Sequence, residues 1–172
     1  MTDTPTNSDS NPDDDQPLPL SGNQKRKLKS AARFFAVQAL FQMETTQQTA
    51  ETVVQEFSDH RFGERFDDHE MVEADKEFFR SLIDGAVNWQ AQIDQITHRA
   101  LVAKWPIARI DPTLRALFRA AGAELVRENT PPRVVITEYM AVSDAFFPDG
   151  KEAKFVNAVL DHMAHEASPD GF

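Results

Sequence analysis

The chain has 172 residues, 41% of them apolar, a formal net charge of −10 and no cysteine. That length suits one domain plus a tail, and the missing cysteines exclude a disulfide scaffold, a thiolate metal site and a cysteine nucleophile while fitting a reducing, cytoplasmic setting. The acidic amino terminus lacks the apolar run of a signal peptide, and no stretch approaches the roughly 20 apolar residues of a membrane span.

The net charge hides a strong segmentation. Residues 1–24 carry five Asp and no Lys or Arg, whereas residues 25–33 carry Lys25, Arg26, Lys27, Lys29 and Arg33 with no acid. Residues 44–94 hold thirteen acids against four bases, and residues 99–133 hold seven bases against three acids. Fields decay over about 8 Å at physiological salt, so this local pattern governs what the surface attracts.

In chain order, residues 1–23 are rich in Pro, Asp, Ser, Asn and Thr, with almost nothing to bury, and are expected to be a disordered acidic tail. The folded domain is expected over residues 24–168. A first helix is predicted from about Gln24 to Met43, where Leu28, Ala32, Phe35, Ala36, Ala39, Leu40 and Met43 recur at helical spacing. Its first turns carry all five bases, the wrong sign for a helix dipole. A few tenths of a kcal/mol lost per charge suggests that those bases serve something other than helix stability.

A short helix over about Thr49–Phe57 follows, then a polar loop at 58–70. A third helix is predicted over Val72–Val87 and a fourth over Trp89–Leu101, ended by Trp105-Pro106, because a residue before proline avoids helical angles. Asp111-Pro112 and Thr130-Pro131 each pair a capping side chain with a following proline, starting a fifth helix at Pro112–Arg127 and a sixth that runs to about Phe146. Phe147-Pro148-Asp149-Gly150 is a turn before a last helix over about Lys151–Glu166. With no alternating strand pattern and no internal repeat, the class is all-α, about seven helices.

No catalytic signature emerges, and neither a cofactor nor a metal is expected. The six glycines are scattered rather than gathered into a phosphate loop. His162 and His165 sit three apart without a third ligand at fitting spacing, so two exposed histidines are the plainer reading. Asp67-Asp68 with Glu70 has the charge of a cation site but the character of a solvated loop. What remains is the basic start of the first helix. Single-stranded RNA is bound by cations that follow phosphates and flat groups that stack on bases. Phe34 and Phe41 lie two turns apart beside the basic stripe, although core packing is the default role of a helical Phe.

Three segments carry a family resemblance. Lys29-Ser-Ala-Ala-Arg33-Phe-Phe-Ala-Val37-Gln38-Ala39-Leu40-Phe41-Gln follows a basic run with A-R-x-x-A-x-Q-A-L and an aromatic. Arg109-Ile-Asp-Pro-Thr-Leu-Arg-Ala-Leu-Phe-Arg119-Ala-Ala-Gly-Ala-Glu124-Leu125 contains L-R-x-A-x-x-E-L with Phe for the first Leu. Pro132-Arg-Val-Val-Ile136-Thr-Glu138 is followed by Lys154-Phe155-Val156-Asn157-Ala-Val159-Leu160-Asp161, a K-F-V-N-x-V-L-D motif. In order and spacing, over about residues 25–166, the chain resembles the NusB family of transcription antitermination factors.

The resemblance implies two packed helical bundles and no enzymatic activity. It implies binding of boxA-type single-stranded RNA in nascent ribosomal RNA transcripts, jointly with NusE, a small-subunit ribosomal protein, within the antitermination complex on RNA polymerase. It assigns RNA contact to Lys25, Arg26, Lys27, Lys29 and Arg33, and to Lys154, Phe155 and Asn157 near the K-F-V-N motif, where Asn157 equally suits a helix cap or bridge. It places Phe41, Leu114 and Arg115 toward the partner protein, and it allows a homodimer. The sequence departs from the family with Phe41 for a frequent Tyr, Thr137 for Asn, Asp144 for Lys, Leu114 for an acid, and the Asp-rich tail, which is expected to compete weakly with RNA. Two alternatives stay open: an RNA-recognition helper for a ribosomal RNA methyltransferase acting in trans, and a protein-interaction module without RNA.

Overall fold

The computed structural model describes residues 18–63, 65–66, 69–70, 73–101 and 106–171. Most of the expected acidic tail, Asp67-Asp68 and Trp105 lie outside that range. Seven α-helices account for most of the described chain: α1 (Gly22–Thr46), α2 (Ala50–His60), α3 (Lys76–Asn88), α4 (Gln90–Ala100), α5 (Pro112–Arg127), α6 (Pro132–Phe146) and α7 (Ala153–Ala167). A two-residue antiparallel pair, β1 (Arg65–Phe66) with β2 (His69–Glu70), sits between α2 and α3 in the segment expected to be loop. A 3-10 turn at Ile107–Arg109 leads into α5. Among the described residues no helix is long and apolar enough to cross a membrane.

Local chemistry sets the boundaries. Ser21 caps α1 through its hydroxyl, which accepts from the Gln24 N–H at 3.1 Å, while the Gln24 side chain accepts from the Ser21 N–H at 2.8 Å. The helix runs three residues past the expected Met43 and stops where Gln47 turns left-handed, with φ of 61° and its N–H on the Met43 carbonyl. The third helix begins four residues later than expected, because Asp75 supplies the cap by accepting from the Phe78 N–H at 2.9 Å. Asp111 caps α5 in front of Pro112, and Pro132 opens α6. Lys151 and Glu152 form a turn, so α7 begins at Ala153, two residues late.

The tertiary plan is two bundles that share one helix. One is built from α1, α2 and α3, the other from α4, α6 and α7, and α5 packs against both sets. The first bundle is filled by an aromatic cluster in which the Phe57 and Phe79 rings lie 5.6 Å apart, with Phe35 and Phe62 against them. Burying such side chains stabilises the fold by about 1.5–3 kcal/mol each. The central role of α5 follows from its small residues: Ala116, Ala120, Ala121 and Ala123 are all fully buried. At Gly122 a Cβ would stand 2.3 Å from Cγ2 of Ile93, so only glycine permits the close approach of α5 to α4.

Candidate nucleic-acid interface

The start of α1 divides into an exposed part and a buried part. Lys25, Arg26, Lys27 and Lys29 are all exposed, and none of them forms an ion pair with a described residue. Arg26 reaches back to the Gly22 carbonyl at 3.4 Å. The Lys29 ammonium lies 5.3 Å from the centre of the Phe78 ring on α3, which steadies its stem while leaving its charge in solvent. Four cations thus stand at one end of a protein whose formal charge is −10.

Arg33 belongs elsewhere, and its assignment to RNA is corrected. Its side chain is 5% exposed and grips Glu124 of α5 in a two-pronged bond, Nη2 to Oε1 at 2.7 Å and Nε to Oε2 at 2.9 Å. A second carboxylate, Glu138 of α6, lies 3.4 Å from Nη1 and accepts from the Ser30 hydroxyl at 2.9 Å. Burial works against the Arg33 charge, but the hydrogen bonds and charge of Glu124 outweigh it and hold the guanidinium above its ordinary pKa. The Tyr139 phenol is fully buried there, and burial first, then the Glu124 charge, pushes its pKa well up. A guanidinium held this way fastens α1 to α5 and α6 and cannot meet a phosphate.

The K-F-V-N residues lie on α7. Lys154 and Asn157 are exposed, whereas Phe155 is half-buried with its ring edge-on to Phe118 at 6.2 Å. Between α1 and α7 lies α6, which packs against both. Of the residues directed toward a partner, Phe41 is 37% exposed. Leu114 and Arg115 are corrected: Leu114 is buried in the α5 core, where an apolar side chain leaves water. Arg115 binds Glu44 at close range and donates to the Ile107 and Ile110 carbonyls at 2.9 and 3.2 Å, fixing the turn before α5.

Sequence reasoning missed the anionic halves of these networks. Glu44 bridges Arg115 and Arg119, and Arg119 also binds Asp94 at 3.0 Å. The hydrogen bond from Arg115, opposed by burial, lowers the Glu44 pKa. Glu124 carried a readable signal: one carboxylate amid Ala120, Ala121, Gly122, Ala123 and Leu125 must meet a buried cation. Glu138 carried none, since nothing in its neighbours marks it as facing α1. On α7, His162 pairs with Glu166 and His165 with Asp161 at helical spacing.

The NusB family model matches residues 30–165, starting immediately after the four exposed cations. The transcription antitermination protein NusB of Maricaulis maris is 47% identical over 149 residues, covering 86% of this chain and 92% of the relative. A NusB structure from T. maritima superposes with a TM-score of 0.64 at 27% identity, covering 88% of this chain and 94% of that one. The fold is shared by a chain from the crystal structure of antitermination factors NusB and NusE in complex with double-stranded RNA, with a TM-score of 0.62, 24% identity and coverage of 80% and 96%. By the extent of the family match and the identity to its curated relative, the chain belongs to the NusB family.

Proposed function

We propose that the chain is a transcription antitermination factor that holds single-stranded boxA-type RNA of nascent ribosomal RNA transcripts on the start of α1. In this reading it acts as a binding protein rather than an enzyme. It works together with NusE inside the antitermination complex on RNA polymerase. The observation that carries the reading is the exposure of Lys25, Arg26, Lys27 and Lys29 without acidic partners among the described residues, at one helix start of an acidic protein. Such charges release counterions when they meet phosphates. The relatives' name, transcription antitermination protein, supplies the process, and the family resemblance supplies the RNA class and NusE.

A fluorescence anisotropy titration of a boxA-like oligonucleotide, with and without NusE, tests it. With Arg33 internal, four phosphate contacts remain, and a log–log salt slope of about −2.8 is expected, at ~0.7 per contact. Tighter binding with NusE present is the second expected result. A slope near zero, or affinity unchanged when the four cations are replaced by Ala, would overturn the assignment.

A further inference from the structure

The start of α1 carries more positive charge than the fold around it neutralises. Lys25, Arg26, Lys27 and Lys29 pair with no acid among the described residues, and the first turn of α1 contains no acid, so the positive end of the helix dipole adds to their charge. Arg33, Arg99, Arg115 and Arg119, by contrast, are each bound to a carboxylate from another helix. Ahead of this cluster in the chain, residues 1–17 carry Asp3, Asp9, Asp13, Asp14 and Asp15 and no Lys or Arg. We propose, on the reading of α1 as the RNA-binding element, that the acidic run at residues 13–15 is an intramolecular competitor, which RNA must displace from these four cations.

Covalent attachment puts the acids within reach. Lys29 lies about 12 Å beyond Ser21 along the axis, at 1.5 Å per residue. The acids stand six to eight residues ahead of Ser21, a span of up to ~20–27 Å for extended chain at about 3.4 Å per residue. The connection is extended rather than helical, with Ser21 at φ −66° and ψ 160°, and Pro19 keeps Leu18 out of helical angles. Leu18 is 90% exposed, so no apolar anchor holds the connection to another part of the surface. A tether this short gives the acids an effective concentration in the millimolar range, at which contacts that are individually weak compete.

Salt controls the competitor. Each exposed ion pair contributes little, and its field extends over ~30 Å at 10 mM salt but only about 8 Å at physiological ionic strength. The acids therefore hold the cations at low salt and release them as salt rises, while RNA loses affinity over the same range through counterion release. Competition weakens every ligand of these cations by one common factor. A strand that offers phosphates alone falls below useful occupancy, whereas a strand held by further contacts stays bound.

The test titrates a boxA-like oligonucleotide against the full chain and against its combined Asp13→Asn, Asp14→Asn, Asp15→Asn variant across a range of salt. A second variant, Glu51→Gln with Asp59→Asn and Asp84→Asn, removes the same charge from exposed positions on α2 and α3. The expected result is binding about 3- to 10-fold tighter for the tail variant at ~20 mM salt, as for a few tethered weak pairs. The gain should be gone by ~300 mM, where both chains share one salt slope. The control variant should gain less than half as much. In the RNA-free protein, backbone amide shifts of residues 22–30 should differ between the unaltered chain and the tail variant at low salt and converge at high salt.

Equal RNA affinity of the unaltered chain and the tail variant at low salt overturns the competitor while leaving the α1 reading intact. So does an equal gain in the control variant, which assigns the effect to overall charge, and so does a gain that persists undiminished at high salt, which is not electrostatic. A gain seen only with NusE present makes the acidic run a contact of that partner and overturns the competitor as well. If RNA binds neither chain at any salt, the α1 reading itself fails, and the competitor with it.

Discussion

Two parts of one basic run on α1 have opposite fates. Lys25, Arg26, Lys27 and Lys29 stand in solvent and pair with no acid among the described residues, while Arg33, one turn beyond Lys29, is buried between Glu124 and Glu138. By charge and spacing the five belong together, but in the fold they separate into a surface that attracts anions and a bolt that joins three helices. A cation's role is decided by which carboxylates the packing brings to it, and those come from residues 91 and 105 positions away in sequence. The same division recurs on α5, where Arg115 and Arg119 are tied to Glu44 and Asp94.

The largest effect that probes this contrast is expected at the bolt. Glu124→Ala leaves the Arg33 charge buried with only the more distant Glu138, and should lower unfolding free energy by about 3–5 kcal/mol. Urea denaturation followed by circular dichroism measures it. A loss below about 1 kcal/mol would show that Arg33 escapes to solvent and belongs with the surface cations after all. Next comes Gly122→Ala, whose new methyl meets Ile93 where α5 crosses α4. A loss of about 1–3 kcal/mol is expected from overpacking, read from the same denaturation curves, with RNA affinity of the folded fraction unchanged.

Lys27→Ala should do the reverse. Stability should stay within about 0.5 kcal/mol, as for ordinary surface changes, while the salt slope of RNA binding becomes shallower by ~0.7. A drop in melting temperature without a change in slope would place Lys27 with Arg33 instead. The smallest effect is electrostatic. The Arg115 hydrogen bond, against the opposing pull of burial, holds the Glu44 carboxyl below its ordinary value of 4.5. Its folded pKa is therefore lower than its unfolded one. The pair stabilises the fold above about pH 4.5, and that contribution fades as pH falls through the folded value. Glu44→Gln should consequently show a smaller drop in urea midpoint between about pH 7 and pH 3 than the unaltered chain. An equal drop would mean that Glu44 is solvated and the bridge contributes nothing.

Most of the fold was legible because its signals are local. The cap-then-proline pair at Asp111-Pro112 places the start of α5, whereas Thr130-Pro131 marks α6 one residue early, since Pro131 stands at its N-cap and no side chain caps it; the periodicity of Leu28 through Met43 yields α1. Where the reading drifted, a short-range bond intervened: Asp75 capping α3 later than the apolar pattern suggested, or Gln47 ending α1 later than Met43. The site was only half legible. That the helix start is cationic is plain from the chain, and so is the resemblance to NusB proteins. That Leu114 is buried, that Arg115 is tied to Glu44, and that Phe41 borders a cleft, follows from how the helices of both bundles pack on one another.

The sequence alone determined the all-helical class, the number of helices and the concentration of positive charge at residues 25–33, because each depends on residues within a few turns of one another. Only the tertiary structure decided which of those charges is locked into an internal ion pair. Burial and ion pairing are long-range outcomes, set by how α5 and α6 pack on α1, and no count of local charge reveals a carboxylate that arrives from the other end of the chain.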